Sequence, residues 1–481
     1  MLKDHILSIF LQQMKVNPTE NQSVAIDSLV DLIITPDDQQ LMLLKGYAGT
    51  GKTTVISAFI NTLAQFKMRA VLMAPTGRAA KVLSAYSGKE AFTIHKKIYR
   101  QKSDNDAWGA FSLNFNPLSD TFFIVDEASM ISLSGADHNY FGSGNLLDDL
   151  IKFVYNGKNC KLIFIGDTAQ LPPVGQEQSP ALDSKQLQSY GLQVSEYELT
   201  EVMRQAQDSG ILYNATLLRQ QLAEGGHGSV DHPALQISEF TDTERIAGDE
   251  LIEAISDAYY RYGMAETMVI CRSNKQANHY NQGIRNRILY REEELTSGDL
   301  LMVVRNNYFW IQDADDISFI ANGDIAKVQR IRKYIDRYGF RFAEVDLSLP
   351  DYRDREFTAI ILLDVLASES ASLSEEQNRK LFNAVAEDYA HIPSKKEKFK
   401  KMKEDPFFNA LQVKFAYAVT CHKAQGGQWQ CVFLDQGWFK EEMLGVEYLR
   451  WLYTAVTRSS EKLYLVNFPD NFFAVELERD R

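Results

Sequence analysis

Two α/β lobes, each built on a parallel sheet, are what this 481-residue sequence predicts, on three observations. Short apolar runs recur along the chain and each ends in a polar loop: residues 69–80 (RAVLMAPTGRAA), 160–175 (CKLIFIGDTAQLPPVG), 197–205, 266–284, 430–436 and 461–468. Segments with apolar residues at helical spacing lie between several of these runs, and strands alternating with helices make parallel sheets covered on both faces. Only one junction, residues 46–54 (GYAGTGKTT), sets three glycines around a lysine between an apolar run and a helical segment, and the strands are too many for one sheet with one such loop.

The elements follow in order. The first residues, MLKDHILSIFLQQMK, carry Asp4 and no small-residue cleavage site, so they predict an amphipathic helix and not a signal peptide. The run LMLLK before Gly46 is a buried strand, and TTVISAFINTLAQF after it is a helix. Strand, Gly46-x4-Gly51-Lys52-Thr53, helix is the setting of a P-loop, whose backbone N–H groups turn inward around a phosphate. Gly46, Ala48, Gly49, Thr50, Gly51, Lys52, Thr53 and Thr54 are the ATP-binding candidates; Lys52 reaches the β- and γ-phosphates and Thr53 supplies a hydroxyl to Mg²⁺. The strand at 122–125 ends in Asp126-Glu127, which a parallel sheet places beside the P-loop. Asp126 is then the Mg²⁺ carboxylate, and Glu127 polarises water for attack on the γ-phosphate.

Composition bounds the rest. Apolar residues make up 45% and charged residues 24%, as in ordinary globular protein, and no run of 18 apolar residues predicts a membrane span. The four cysteines, Cys160, Cys271, Cys421 and Cys431, show no metal-ligand spacing, so reduced thiols and a cytoplasmic setting are expected. A net charge of −13 confines any nucleic-acid site to a local groove on an acidic body.

The ordered series GYAGTGKTT, APTGRAA, TIH, VDEAS, GDTAQLPPVG, LTEVMRQ, VTCHKAQGGQW and YTAVTRS resembles the motif series of superfamily 1 helicases, and within them the RecD and Dda-like branch. The resemblance spans about residues 17 to 460 and implies two RecA-like lobes, ATP and Mg²⁺ as cofactors, and 5′-to-3′ movement on single-stranded DNA with unwinding of duplex or forked DNA. It implies that Gln22, in NPTENQSVAI, bonds the adenine edge; the same glutamine also fits a helix-capping pattern. Gln170 becomes a γ-phosphate sensor, and Arg204 and Arg458 become arginine contacts from the second lobe, or else structural ion pairs. Where many relatives have an acid that meets the nucleotide sugar, this chain has Gln428, which puts ribose discrimination in doubt.

Thr76, Arg78, Thr93, His95 and Lys96 from the first lobe, with Thr420, His422 and Lys423 from the second, are the implied DNA contacts; either histidine also fits a structural role. Residues 93–120 are the implied pin that splits the duplex, or an ordinary hairpin whose Trp108 and Phe111 pack on the lobe. Residues 296–410 suggest an SH3-like β insertion followed by a charged helical arm, with six lysines between Lys395 and Lys403. That run is a solvated helix face or an arm holding a strand. The expected division is 1–92 and 121–190 for lobe 1, and 191–295 and 411–481 for lobe 2. A monomer acting in replication, repair or recombination is expected. The alternatives are an RNA or 3′-to-5′ translocase, and a motor or clamp subunit with little unwinding of its own.

Overall fold

The computed structural model describes residues 2–37, 39–101, 111–133, 142–202, 208–224, 231–311 and 319–474. The first lobe contributes β1 (Gln40–Gly46), β2 (Arg69–Ala74), β3 (Ala91–Thr93), β4 (Tyr99–Gln101), β5 (Phe111–Leu113), β6 (Thr121–Val125), β7 (Lys161–Gly166) and β8 (Gln193–Leu199). Six of them form a parallel sheet in the order β3-β2-β6-β7-β1-β8, while β4 and β5 pair as a short antiparallel hairpin. The alternation of a strand sends Leu41 and Leu43 to one face, and Met42 and Leu44 to the other, each into its own apolar cluster. On the second face the helix Lys52–Gln65 buries Val55, Ile56, Phe59, Ile60 and Leu63 completely. Each such side chain contributes about 1.5–3 kcal/mol, so the helix that begins at the P-loop is anchored firmly. The N-terminal helix Leu2–Gln13 adds Ile6 and Phe10 to the same cluster, as its amphipathic pattern predicts.

The second lobe is built from β9 (Thr243–Ile246), β10 (Thr267–Cys271), β16 (Ala418–Thr420), β17 (Trp429–Asp435) and β18 (Ser459–Val466), all parallel, in the order β16-β10-β17-β18-β9. Counting strands by their place in the chain, both sheets read third-second-fourth-fifth-first, and the first sheet adds β8 at its edge. The strand at 193–199 therefore corrects one expectation: it does not open the second lobe but pairs with β1 along its whole length. Between the halves of the second lobe, β11 (Leu300–Val303), β12 (Ile325–Arg337), β13 (Phe340–Leu349), β14 (Arg355–Leu362) and β15 (Leu411–Phe415) close into a five-stranded barrel, the expected SH3-like insertion. Its last strand lies just beyond residue 410, after the charged helices Glu375–Asp388 and Lys395–Lys403. The four cysteines are free and buried. No helix among the described residues is long and apolar enough to cross a membrane.

Among the described residues the barrel meets the first lobe at the hairpin and beside Gly77. Phe111 of the hairpin packs on Tyr308, ring centroids 4.2 Å apart, so this aromatic meets the insertion; Trp108 lies outside the described residues. At the second contact Asp324 accepts the Ala321 N–H (2.7 Å) and the Tyr352 hydroxyl (3.1 Å), beside Gly77 of the first lobe. A Cβ at position 77 would stand 2.2 Å from the Asp324 Oδ1. Burial first, then the neighbouring Asp351 carboxylate, pushes the Asp324 carboxyl up to about 7. The native state thus holds a proton that the unfolded chain releases, so this group's contribution is full below about pH 4 and is lost as pH rises through about 7. Asp324→Asn is expected to flatten that loss and to melt at a higher temperature than the parent at about pH 8, the effect amounting to a few kcal/mol at most. Melting curves of both proteins between about pH 5 and pH 8 check this; parallel curves would remove Asp324 as the cause.

Candidate nucleotide cleft and strand groove

The P-loop folds as its glycines require. Gly49 and Gly51 take φ +75° and +83°, the left-handed region that a side chain disfavours. The Lys52 ammonium donates to the carbonyl oxygens of Gly46 (2.6 Å) and Tyr47 (2.8 Å), which holds it across the mouth of the loop. Asp126, at the end of β6, accepts the Tyr86 hydroxyl (2.7 Å) and the Glu127 N–H (2.8 Å). Burial, and then the charge of Glu127, pushes the Asp126 carboxyl up to about 6. Glu127 itself has φ +53°, an unusual backbone for a residue with a side chain and the kind of strain that collects at working sites.

The second lobe closes the cleft. Arg458 is 4% exposed, with Nε donating to the Thr454 carbonyl (3.0 Å), Nη1 to the Gly427 carbonyl (3.2 Å) and Nη2 to the Thr457 hydroxyl (3.2 Å). These bonds hold its fork 3.8 Å from the Glu127 carboxylate. The Gln170 carboxamide stands between the two, its nitrogen donating to Glu127 (3.3 Å) and its oxygen accepting from Arg458 (3.2 Å) in the amide orientation that satisfies both. Two further bridges had no sequence signal. The Tyr453 hydroxyl accepts the Ala48 N–H of the P-loop (2.9 Å) and donates to Asp167 (2.6 Å). Leu171, next to Gln170, has its N–H taken by the Thr454 hydroxyl (2.8 Å) and its carbonyl by the Gln425 amide (2.7 Å).

Together these groups wall a cavity of about 800 Å³ lined by Ala48, Gly49, Gly51, Lys52, Thr53, Thr54, Asp126, Glu127, Gln170, Gln428 and Arg458. Gly46 and Thr50 stand behind that wall, and Arg204 lies outside the described residues. Gln22 needs a correction. It is fully buried, its oxygen caps a helix by accepting the Thr19 N–H (3.0 Å) and its nitrogen donates to the Thr50 carbonyl (2.9 Å). The oxygen serves the helix cap and the nitrogen braces the P-loop from behind, and the side chain has no exposed surface with which to meet an adenine edge. Gln22→Ala is expected to lower stability by about 1–3 kcal/mol, from an orphaned buried Thr50 carbonyl and a lost helix cap, while ADP affinity changes less than about threefold. Denaturant melts and ADP titration test the two halves of this separately.

A second groove, about 360 Å³, brings together Thr76, Thr93, His95, His422 and Lys423 from the two lobes. The Thr76 and Thr93 hydroxyls accept the Ala79 and Lys96 N–H groups (3.2 Å each), capping the helices Gly77–Ser87 and Ile94–Ile98. Burial holds the His95 imidazole down at about 4, so it is a neutral donor and acceptor at ordinary pH. Thr420 and Lys96 do not line this groove, and Arg78 is a clear departure. Its guanidinium lies 4.1 Å from the Trp429 ring centroid and donates to the Gln428 carbonyl (2.9 Å), which makes it a contact between lobes. The barrel supplies residues that sequence reasoning missed here, Asn306, Asn322 and Gly323, and Asn322 accepts the Lys423 ammonium (2.6 Å).

Comparison with known proteins adds the following. The family model of an AAA domain matches residues 20–236, and that of a UvrD-like helicase C-terminal domain matches residues 415–466. The ATP-dependent DNA helicase Dda of Enterobacteria phage T4 is 24% identical over 85% of this chain and 90% of its own length. An uncharacterized protein of Acanthamoeba polyphaga mimivirus is 22% identical over 92% of this chain and 98% of its own. The ATP-dependent RecD2 DNA helicase of Deinococcus radiodurans is 29% identical over 32% of this chain, which spans only 18% of that protein. Among solved structures, the Pif1 helicase from Bacteroides in complex with ADP-AlF3 and single-stranded DNA aligns over 96% of this chain and 95% of its own, at 14% identity and a TM-score of 0.47. With a P-loop, an acidic pair and an arginine converging on one cleft, and both family models matched in order, the chain belongs to the superfamily 1 helicases of the RecD/Dda type, which hydrolyse ATP.

Proposed function

We propose that the chain is a DNA helicase that moves 5′ to 3′ on single-stranded DNA and separates duplex at forks, serving replication, repair or recombination. The observation that carries this reading is one cavity walled by both lobes, with Lys52, Glu127 and Arg458 all facing it. ATP binding is expected to draw the lobes together around Lys52 and the P-loop amides. Glu127 takes a proton from the attacking water, Gln170 positions that water against the γ-phosphate, and Arg458 stabilises the charge that develops there. Thr53 and Asp126 both line the cavity, and a buried carboxyl pushed up to about 6 is one that a divalent cation suits. Mg²⁺ held there would neutralise phosphate charge. Gln428 lines the same cavity and, in this reading, would meet the nucleotide sugar.

The strand runs in the groove of Thr76, Thr93, His95, His422 and Lys423, whose hydroxyls, capped helix ends and neutral imidazole track a backbone without reading bases. In this reading the first lobe runs over 1–92 and 121–199, the pin over 93–120, the barrel insertion over 296–415, and the second lobe over the remainder. The test is unwinding of two partial duplexes, one with a 5′ tail and one with a 3′ tail. Unwinding from the 5′ tail alone is expected. Unwinding from the 3′ tail reverses the polarity, and strand-stimulated hydrolysis with neither duplex opened makes the chain a motor or clamp that needs a partner.

A further inference from the structure

The shared strand order of the two sheets makes their carboxyl edges comparable position by position. In the first lobe the ends of the first, fourth and fifth strands carry the P-loop, Asp126-Glu127 and Asp167, and they enclose the nucleotide cavity. In the second lobe the ends of the corresponding strands, β9, β17 and β18, carry Ala247-Gly248, Asp435-Gln436 and Asn467. They too enclose a cavity, of about 690 Å³, lined by Arg245, Ala247, Gln436, Phe439, Glu441 and Asn467 among others. Gln436 therefore stands where the first lobe has Glu127. It is 1% exposed, it lines the cavity, and neither its carboxamide oxygen nor its nitrogen has a hydrogen-bond partner. Buried polar groups are almost always paired, so an amide left with both functions open at a strand's carboxyl end marks a place for a ligand.

The surrounding chemistry says what kind. The loop after β9 has no lysine; it reads Ala247-Gly248-Asp249-Glu250, and the Glu250 carboxylate already accepts the Ala247 N–H (2.9 Å) at the start of the helix Leu251–Tyr262. The cation on the wall, Arg245, is neutralised by Asp470 (2.6 Å), and Glu441 adds a further carboxylate. Phosphate is thus rejected. The unpaired carboxamide offers an acceptor beside a donor, the pattern with which glutamine meets the N6 and N7 edge of adenine. Phe439 lines the cavity and gives a flat ring an apolar neighbour.

We infer that the carboxyl edge of the second lobe is a second ligand site, which takes an uncharged nucleobase or nucleoside and performs no hydrolysis. Asp435, the counterpart of Asp126, is engaged by Gln276 and Asn467, and the carboxylate base of the first site is here an amide. This inference does not depend on polarity or on DNA unwinding. The experiment is calorimetric titration of adenosine into the full chain with the first site saturated by ADP and Mg²⁺, with guanosine, cytidine and uridine in parallel. One equivalent of a nucleoside is expected to bind, at least tenfold more weakly to Gln436→Leu, and not at all to Asn471→Trp, which fills the cavity mouth. Gln436→Leu should fold, because an isosteric apolar side chain replaces an unpaired one, and its ATP hydrolysis should stay within twofold of the parent. Absence of binding by all four nucleosides, displacement by ADP, or a change of less than tenfold in Gln436→Leu would overturn it.

Discussion

Lys52→Ala is expected to hydrolyse ATP about 10²–10³ times more slowly than the parent, with unwinding lost in step. The ammonium sits across the P-loop mouth on the Gly46 and Tyr47 carbonyls, so it lies where phosphate charge accumulates. Its removal deletes a preorganised positive charge from the reacting centre, yet leaves intact the helix Lys52–Gln65 with its five fully buried apolar side chains. The melting temperature should therefore move little. Steady-state hydrolysis in the presence of single-stranded DNA measures the effect, and a turnover within tenfold of the parent would show that Lys52 is not part of the chemistry.

Arg458→Ala should cost more, about 10³-fold or above in turnover, if the arginine meets charge that develops only in the transition state. Its fork is preset: three bonds to Thr454, Gly427 and Thr457 hold it, and the Gln170 carboxamide links it to Glu127. Truncation also orphans buried carbonyls, which is expected to destabilise the fold by about 1–3 kcal/mol. The two consequences separate by measurement. ADP affinity and melting report the structural part, whereas kcat reports the catalytic part. Arg458→Lys keeps the charge but cannot reproduce the fork, so it should recover only a small fraction of the lost rate. Full activity in the lysine variant would reduce Arg458 to a simple cation.

How much of this could be read in the sequence depends on the range of the interaction. The P-loop, its flanking strand and helix, and Asp126-Glu127 are local patterns, because glycine spacing and a strand-end carboxylate encode themselves within about ten residues. The edge strand β8 was misplaced because its burial pattern is mostly exposed and nothing local states which sheet it joins; pairing with β1 is settled by tertiary contact. Arg78 sits in a motif that resembles a DNA contact, yet its partners Gln428 and Trp429 are some 350 residues away, and only folding reveals that they fill its side chain. Gln22 shows a similar limit. A capping glutamine and a base-reading glutamine have the same sequence signature, and the buried Thr50 carbonyl decides between them. The repeated strand order was invisible for a different reason: the two lobes share topology while their loops share almost no residues.

The Tyr453 hydroxyl acts as a catch between the lobes. One oxygen latches two parts of the opposite lobe, the Ala48 amide and the Asp167 carboxylate, and both bonds run through a rigid ring with few rotatable joints. Such a catch has no slack. Because both bonds end on one oxygen, withdrawing the ring releases the amide and the carboxylate together.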